Sequence, residues 1–186
     1  MPLDHADSNA RGAFEAFLGA AGVPAAQVHT IDGALSPAEE AARYEAKMRS
    51  AMASGAVATN EGGAEEGGDV VPPMPRLDLI LLGMGPDGHC ASLFPGHPLM
   101  EVKDRAVAYI EDSPKPPPGR ITLTLPCLCA AREVIFVAAG EGKAQVVADV
   151  ICEGERDGVP LPAAMVEPVD GNLIYLIDEA GAALIE

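Results

Sequence analysis

Cationic side chains are scarce in this chain: 12 Lys and Arg stand against 28 Asp and Glu, a net charge of −16 over 186 residues. Nucleic-acid binding needs a basic surface that displaces counterions, so that class of partner is excluded. An anionic ligand must be caught by a local cluster of cations against a repulsive mean field, so each Lys or Arg near a motif carries weight. Long apolar runs are absent too. None approaches the roughly 20 residues that span a bilayer, and no membrane partner is expected. No charged-then-apolar segment opens the chain as a signal peptide would. Cysteines 90, 127, 129 and 152 form no C-x-x-C pair and have no histidine at ligand spacing. Cys127 and Cys129 read as packed, reduced thiols, and neither a disulfide framework nor a metal site is expected. There is no internal repeat.

What is present concentrates in residues 77–98, LDLILLGMGPDGHCASLFPGHP. The apolar run 77–82 reads as a strand buried on both faces, as in a parallel sheet. It ends in Gly83-Met84-Gly85-Pro86-Asp87-Gly88-His89, too glycine-rich for a helix or strand. Gly83, Gly85 and Gly88 let the backbone take positive φ and approach a ligand closely. Asp87 and His89 then sit where the loop leaves the strand, and the carboxyl ends of strands are where open α/β sheets bind ligands. The run also fits the dinucleotide fingerprint G-x-G-x-x-G. That fingerprint needs a helix directly behind the glycines, and Pro95, Gly96 and Pro98 stop one here.

The stretch GMGPDGHCASLFPGHP resembles the signature of the 6-phosphogluconolactonases, within the glucosamine-6-phosphate isomerase/deaminase superfamily. Residues 113–124 resemble the family's second motif, a proline-rich turn leading into an R-x-T-L strand. Residues 133–144 (EVIFVAAGEGKA) resemble its strand–glycine–lysine segment, 161–166 and 173–178 its last strand and acidic turn, and 2–9 the segment before its next helix. The resemblance runs from first residues to last, in order. Family members begin with a βαβ portion carrying a Ser/Gly-rich phosphate loop and a strand ending in Asp-Glu-Arg. This chain contains neither, and is expected to be a single partial domain, N-terminally truncated, over 1–186.

Along the chain, Ser8 caps an expected helix over 10–21 with Gly22 as its stop. Ser36-Pro37-Ala38-Glu39 is a capping box opening a second helix that carries Tyr44 and Met48. Residues 54–75 turn to Gly, Ala, Glu and Pro without apolar period, and read as a disordered surface loop. Strands are expected at 106–110, 121–125, 134–138 and 173–177, with helices over 143–152 and at the end. The alternation indicates an α/β fold, a mostly parallel sheet flanked by helices, Rossmann-like.

For lactone hydrolysis, which the resemblance implies, His89 is the candidate general base, since imidazole titrates near neutral pH. Asp87 orients the ring or stabilises its charged form. Backbone N–H groups at Gly85 and Gly88 are candidate oxyanion donors. Arg120 and Lys143, with Lys115 on the proline-rich turn, are the candidate phosphate ligands. Lys143 follows a glycine turn at a helix start, where an anion is already favoured. Arg120 follows a stiff polyproline segment. His5, His29 and His97 read as surface or packing residues, and Pro114-x-x-Pro117 only as a loop turn rather than a polyproline ligand. The expected partner is a sugar-phosphate lactone; no metal, nucleotide or nicotinamide is needed, so no cofactor is expected. A monomer in the cytoplasm is expected, or in a plastid if a transit peptide preceded the chain. One rival is a sugar-phosphate isomerase/deaminase. Those enzymes follow the D-G-H loop with A-F-N-E-P-G, whose carboxylate assists proton transfer, and Ala91-Ser92-Leu93-Phe94-Pro95-Gly96 has none. The other is a fragment that binds sugar phosphate weakly or not at all, its sheet left with an open edge.

Overall fold

A computed structural model describes residues 4–6, 8–64 and 70–185. The chain opens with α1 (Asn9–Ala13), capped by Ser8 Oγ accepting from the Arg11 amide at 3.3 Å, and continues as a π-turn through Phe14–Leu18. Helix α2 (Pro37–Ala53) starts as its sequence dictates. Ser36 accepts from the Glu39 amide, Glu39 reaches back to Ser36, and Pro37 occupies the first turn.

Three parallel strands form the sheet that positions the site. They are β1 (Ile80–Gly83), β4 (Glu133–Ala138) and β5 (Asn172–Ile177), with β2 (Val107–Ile110) and β3 (Arg120–Leu123) between β1 and β4 in sequence. The sheet order is β5-β4-β1, all parallel, with Leu82, Phe136 and Tyr175 side by side across it. Phe136 is fully buried and stacks on Tyr175 with ring centroids 5.4 Å apart. This inner face belongs to the main core with Leu93, Leu128, Val147 and Leu161.

The outer face differs from the fully buried sheet expected. Leu81, Ile135 and Ile174 form one cross-strand row and Gly83, Val137 and Leu176 the next. Leu81 is 64% exposed, Leu176 54% and Val137 51%. The apolar run is continuous because both faces are apolar, but only one is covered here. Among the described residues strand β1 is also an edge, pairing with β4 alone.

Strands β2 and β3 pair antiparallel with each other as a separate ribbon. Helix α2 packs on it, and Glu45 Oε2 accepts from the amides of Ala106 and Val107 at 3.1 and 2.8 Å. A second core cluster of Ala41, Met74, Val107 and Cys127 lies beneath, with Tyr44 and Met48 against it. Leu125, expected at a strand end, instead opens the short helix α3 (Leu125–Cys129) with Pro126 in its first turn. The predicted 143–152 helix is α4 (Ala144–Ala148), prolonged as a π-turn through Asp149–Glu153. The end of the chain forms turns after Asp178 where a short helix was expected.

Composition reads 54–75 as a disordered loop; its described residues include two short strand pairs. Ala58–Thr59 pairs antiparallel with Pro75–Arg76, and Gly63–Ala64 with Val70–Val71. Met74, only 1% exposed, anchors it. Residues 65–69 lie outside the described residues.

Candidate active site

The carboxyl ends of β1, β4 and β5 converge. β1 delivers the 84–89 loop, β4 the turn at Gly140, and Asp178 after β5 ties the second to its own strand. Both Asp178 carboxylate oxygens accept from the Gly140 amide, at 2.9 and 3.0 Å, and Oδ1 also accepts from Gly181 at 2.8 Å. These backbone donors hold the Asp178 carboxyl below the usual carboxylate range. Gly140 takes φ +90°, which leaves the turn open for Lys143 to swing back. Lys143 Nζ then donates to the Met84 carbonyl at 2.7 Å. Gly85, Pro86, His89 and Lys143 line one cleft of about 510 Å³. Of the candidate residues named from the sequence, Gly85, His89 and Lys143 line this cleft.

Inside the loop, Asp87 Oδ1 lies 2.6 Å from His89 Nδ1. Lys115, brought over from the 113–118 turn, donates to the same carboxylate oxygen at 2.8 Å. Burial alone would raise the Asp87 carboxyl, but the Lys115 ammonium and the His89 ring outweigh it and hold it at about 2. An ionised carboxylate only accepts, so Nδ1 carries the ring hydrogen and Nε2 is left as the basic nitrogen. Lys115 Nζ is 3.1 Å from Nδ1, yet its hydrogen bond goes to the carboxylate because Nδ1 is a donor. The imidazole also stacks on Phe94, centroids 4.7 Å apart and planes at 27°.

The glycines act differently from one another. Gly88 does take positive φ, +79°. Gly85 and Gly83 do not. At Gly85 an added Cβ would fall 2.0 Å from His89 Nδ1 and 2.5 Å from Asp87 Oδ1, so the acid–imidazole pair lies against a bare backbone. Nor are the two loop amides free for an oxyanion. The Gly85 N–H donates to the His89 carbonyl at 2.8 Å and the Gly88 N–H to the Gly85 carbonyl at 2.9 Å. They build the loop instead of facing a ligand.

Arg120 is not free either. Its guanidinium donates to the carbonyls of Lys115, Pro116 and Pro117, and lies over the Phe94 ring. Cys90, next to the histidine, is buried, and burial pushes its thiol up to about 12, which leaves it no nucleophile. Among the described residues no three His, Cys, Asp or Glu side chains gather to hold a metal ion. Within the same limit, no helix is long and apolar enough to cross a membrane.

The sequence pattern of the family described as glucosamine-6-phosphate isomerases/6-phosphogluconolactonase matches residues 1–175. The chain belongs to this family. It is 47% identical to a rat protein named 6-phosphogluconolactonase over 186 residues, all of this chain and 64% of the relative. A rice protein named probable 6-phosphogluconolactonase 3, chloroplastic, is 39% identical over 185 residues, all of this chain and 54% of the relative. The crystal structure of 6-phosphogluconolactonase from Leishmania guyanensis superposes with a TM-score of 0.77 at 26% identity, covering all of this chain and 71% of that one. The chain thus spans just under two thirds of the rat relative. The family resemblance seen in the sequence is confirmed, as is the α/β fold with a parallel sheet.

Against that family frame, two features of the site had no signal in the sequence. One is the Lys115–Asp87 pair, which joins residues 28 apart across separate elements. The other is a brace behind the loop. Arg156 donates to the buried Asp149 carboxylate at 2.6 Å and to the Pro86 carbonyl at 2.9 Å. Gln145 donates to the other Asp149 oxygen at 2.7 Å.

Proposed function

We propose that this chain hydrolyses 6-phospho-D-glucono-1,5-lactone to 6-phosphogluconate, with His89 as general base on water. The single observation that carries the reading is the Asp87–His89 pair at 2.6 Å, whose imidazole lines a cleft that Lys143 also lines. The relatives' name, 6-phosphogluconolactonase, points to the same substrate.

Nε2 takes a proton from water as its oxygen attacks the lactone carbonyl. The ring charge that forms is held against the Asp87 carboxylate, which stays ionised far below neutral pH. The tetrahedral oxyanion collapses, the bond from the carbonyl carbon to the ring oxygen breaks, and the same proton passes to that oxygen. The products are a hydroxyl and a carboxylic acid, which gives its remaining proton to solvent and becomes the carboxylate. Lys115, bonded to Asp87 and 3.1 Å from Nδ1, holds the carboxylate in place as the ring takes up charge. Lys143, with one of its three donors on Met84, holds the phosphate with the others. No bound metal or nucleotide enters these steps.

An isomerase/deaminase must move a proton between two sugar carbons and needs a second carboxylate beside the base. Residues 91–96 contain none, and Phe94 stacks on the His89 ring. That favours hydrolysis. The cytoplasm is the proposed compartment, with the plastid as the alternative that the rice relative's name raises. The test is hydrolysis of the lactone by this chain and by His89→Ala. Loss of the rate with the imidazole supports the reading; a chain that folds and shows no rate is a fragment without catalysis.

A further inference from the structure

We infer that Arg120 is a positioning residue and not a phosphate ligand: it locks the proline-rich turn so that Lys115 stays on the Asp87–His89 pair. The inference rests on the reading that this pair performs the chemistry.

A guanidinium has five N–H donors in a fixed fork, and a phosphate is gripped by two parallel bonds from adjacent nitrogens. In Arg120 the Nε hydrogen goes to the Pro117 carbonyl at 2.9 Å. Both Nη2 hydrogens are committed, to the Lys115 carbonyl at 2.8 Å and the Pro116 carbonyl at 2.9 Å. Either bidentate grip on a phosphate uses an Nη2 hydrogen, so neither is available. Only Nη1 remains.

Three consecutive carbonyls on one planar group fix a turn that has few bonds of its own. Its four prolines, 114, 116, 117 and 118, have no N–H to give. The rest of the turn is held by Ser113, whose amide donates to Pro118 at 3.1 Å and whose hydroxyl donates to the Lys115 carbonyl at 2.8 Å. The Lys115 side chain leaves this turn and reaches Asp87 Oδ1 at 2.8 Å. Arg120 also backs the other wall of the site. Its Cζ lies 5.8 Å from the centre of the Phe94 ring on which His89 stacks. One side chain thus sets both the ammonium beside the imidazole and the ring behind it.

The test uses this chain with Arg120→Ala, Arg120→Lys, Lys115→Met and the Arg120→Ala/Lys115→Met pair. Measured are kcat and KM for the lactone, affinity for 6-phosphogluconate, and amide hydrogen exchange over residues 113–119. Arg120→Ala is expected to lower kcat by about tenfold or more, as small displacements of catalytic groups do, with KM held within about twofold. Exchange in the turn accelerates, 6-phosphogluconate affinity is kept, and adding Lys115→Met costs little more. Arg120→Lys, the gentler change should the alanine variant fail to fold, moves the same quantities in the same direction, because one ammonium cannot reproduce a planar grip on three carbonyls. A tenfold rise in KM with kcat unchanged, matching loss of 6-phosphogluconate affinity, and unaltered exchange would make Arg120 a phosphate ligand and overturn the inference. Should His89→Ala retain full rate, or wild type show none, the reading of the pair fails separately, while exchange over 113–119 still decides whether Arg120 locks the turn.

Discussion

Removing His89 takes away the only basic nitrogen that Asp87 orients, and general acid–base catalysis typically contributes about 10²–10⁴-fold, or about 3–5 kcal/mol of barrier. His89→Ala is expected to lose that factor in kcat with little change in KM. Gly85→Ala should come close to it by a different route. Its new methyl would stand 2.0 Å from the ring nitrogen, so either the imidazole or the carboxylate must leave its place. Steady-state kinetics beside an unchanged unfolding midpoint would confirm a local effect; full activity would show that the pair tolerates displacement. Asp87 also links the site to pH. Its carboxyl is depressed from 3.8 to about 2, so the stability it contributes is fully present above the unfolded value and is lost as pH falls from about 4 towards 2. Its partial exposure keeps that contribution small. Asp87→Asn should therefore flatten the acid limb of an unfolding-versus-pH curve; an unaltered limb would contradict the ion pair.

At the scale of elements, three strand ends meet: the Asp178–Gly140 bond ties the ends of β4 and β5, and Arg156 braces the loop after β1. The Gly140 turn depends on Asp178, so Asp178→Ala is expected to loosen Lys143 and raise KM, with a smaller change in kcat, because it disturbs the phosphate end and not the base. A fall in kcat at constant KM would argue that the turn serves the chemistry instead. The loop end depends on Arg156 and Asp149. Much of this level was legible in the sequence. The apolar runs gave β4 and β5 to within one residue and β1 to within three, and the capping box at Ser36 placed α2. What was illegible was contact at a distance. Nothing local to Lys115 says that its ammonium reaches Asp87, and nothing local to Arg120 says that three carbonyls will claim it. The pairing of 58–59 with 75–76 is likewise a contact at a distance: Met74 beside it is buried in a cluster with Ala41 of α2 and Val107 of β2.

Across the whole molecule, two features compete. The outer sheet face presents Leu81, Val137 and Leu176 beside the open edge of β1, an arrangement that favours association. A net charge of −16 opposes it. Association is therefore expected to grow with protein concentration and with salt, which screens the repulsion, and to weaken in Val137→Lys/Leu176→Lys. Sedimentation velocity would read this directly; a monomer at every concentration and salt, as first expected from the sequence, would show that the face is inert. The same charge makes the few cations around His89 decisive for an anionic substrate. The most direct measurement is the rate at which the 186-residue chain hydrolyses 6-phosphoglucono-δ-lactone above the spontaneous reaction, with His89→Ala alongside. A rate that falls by at least about a hundredfold in the variant is expected. A folded chain without a rate, or a rate that survives the loss of His89, would contradict the assignment.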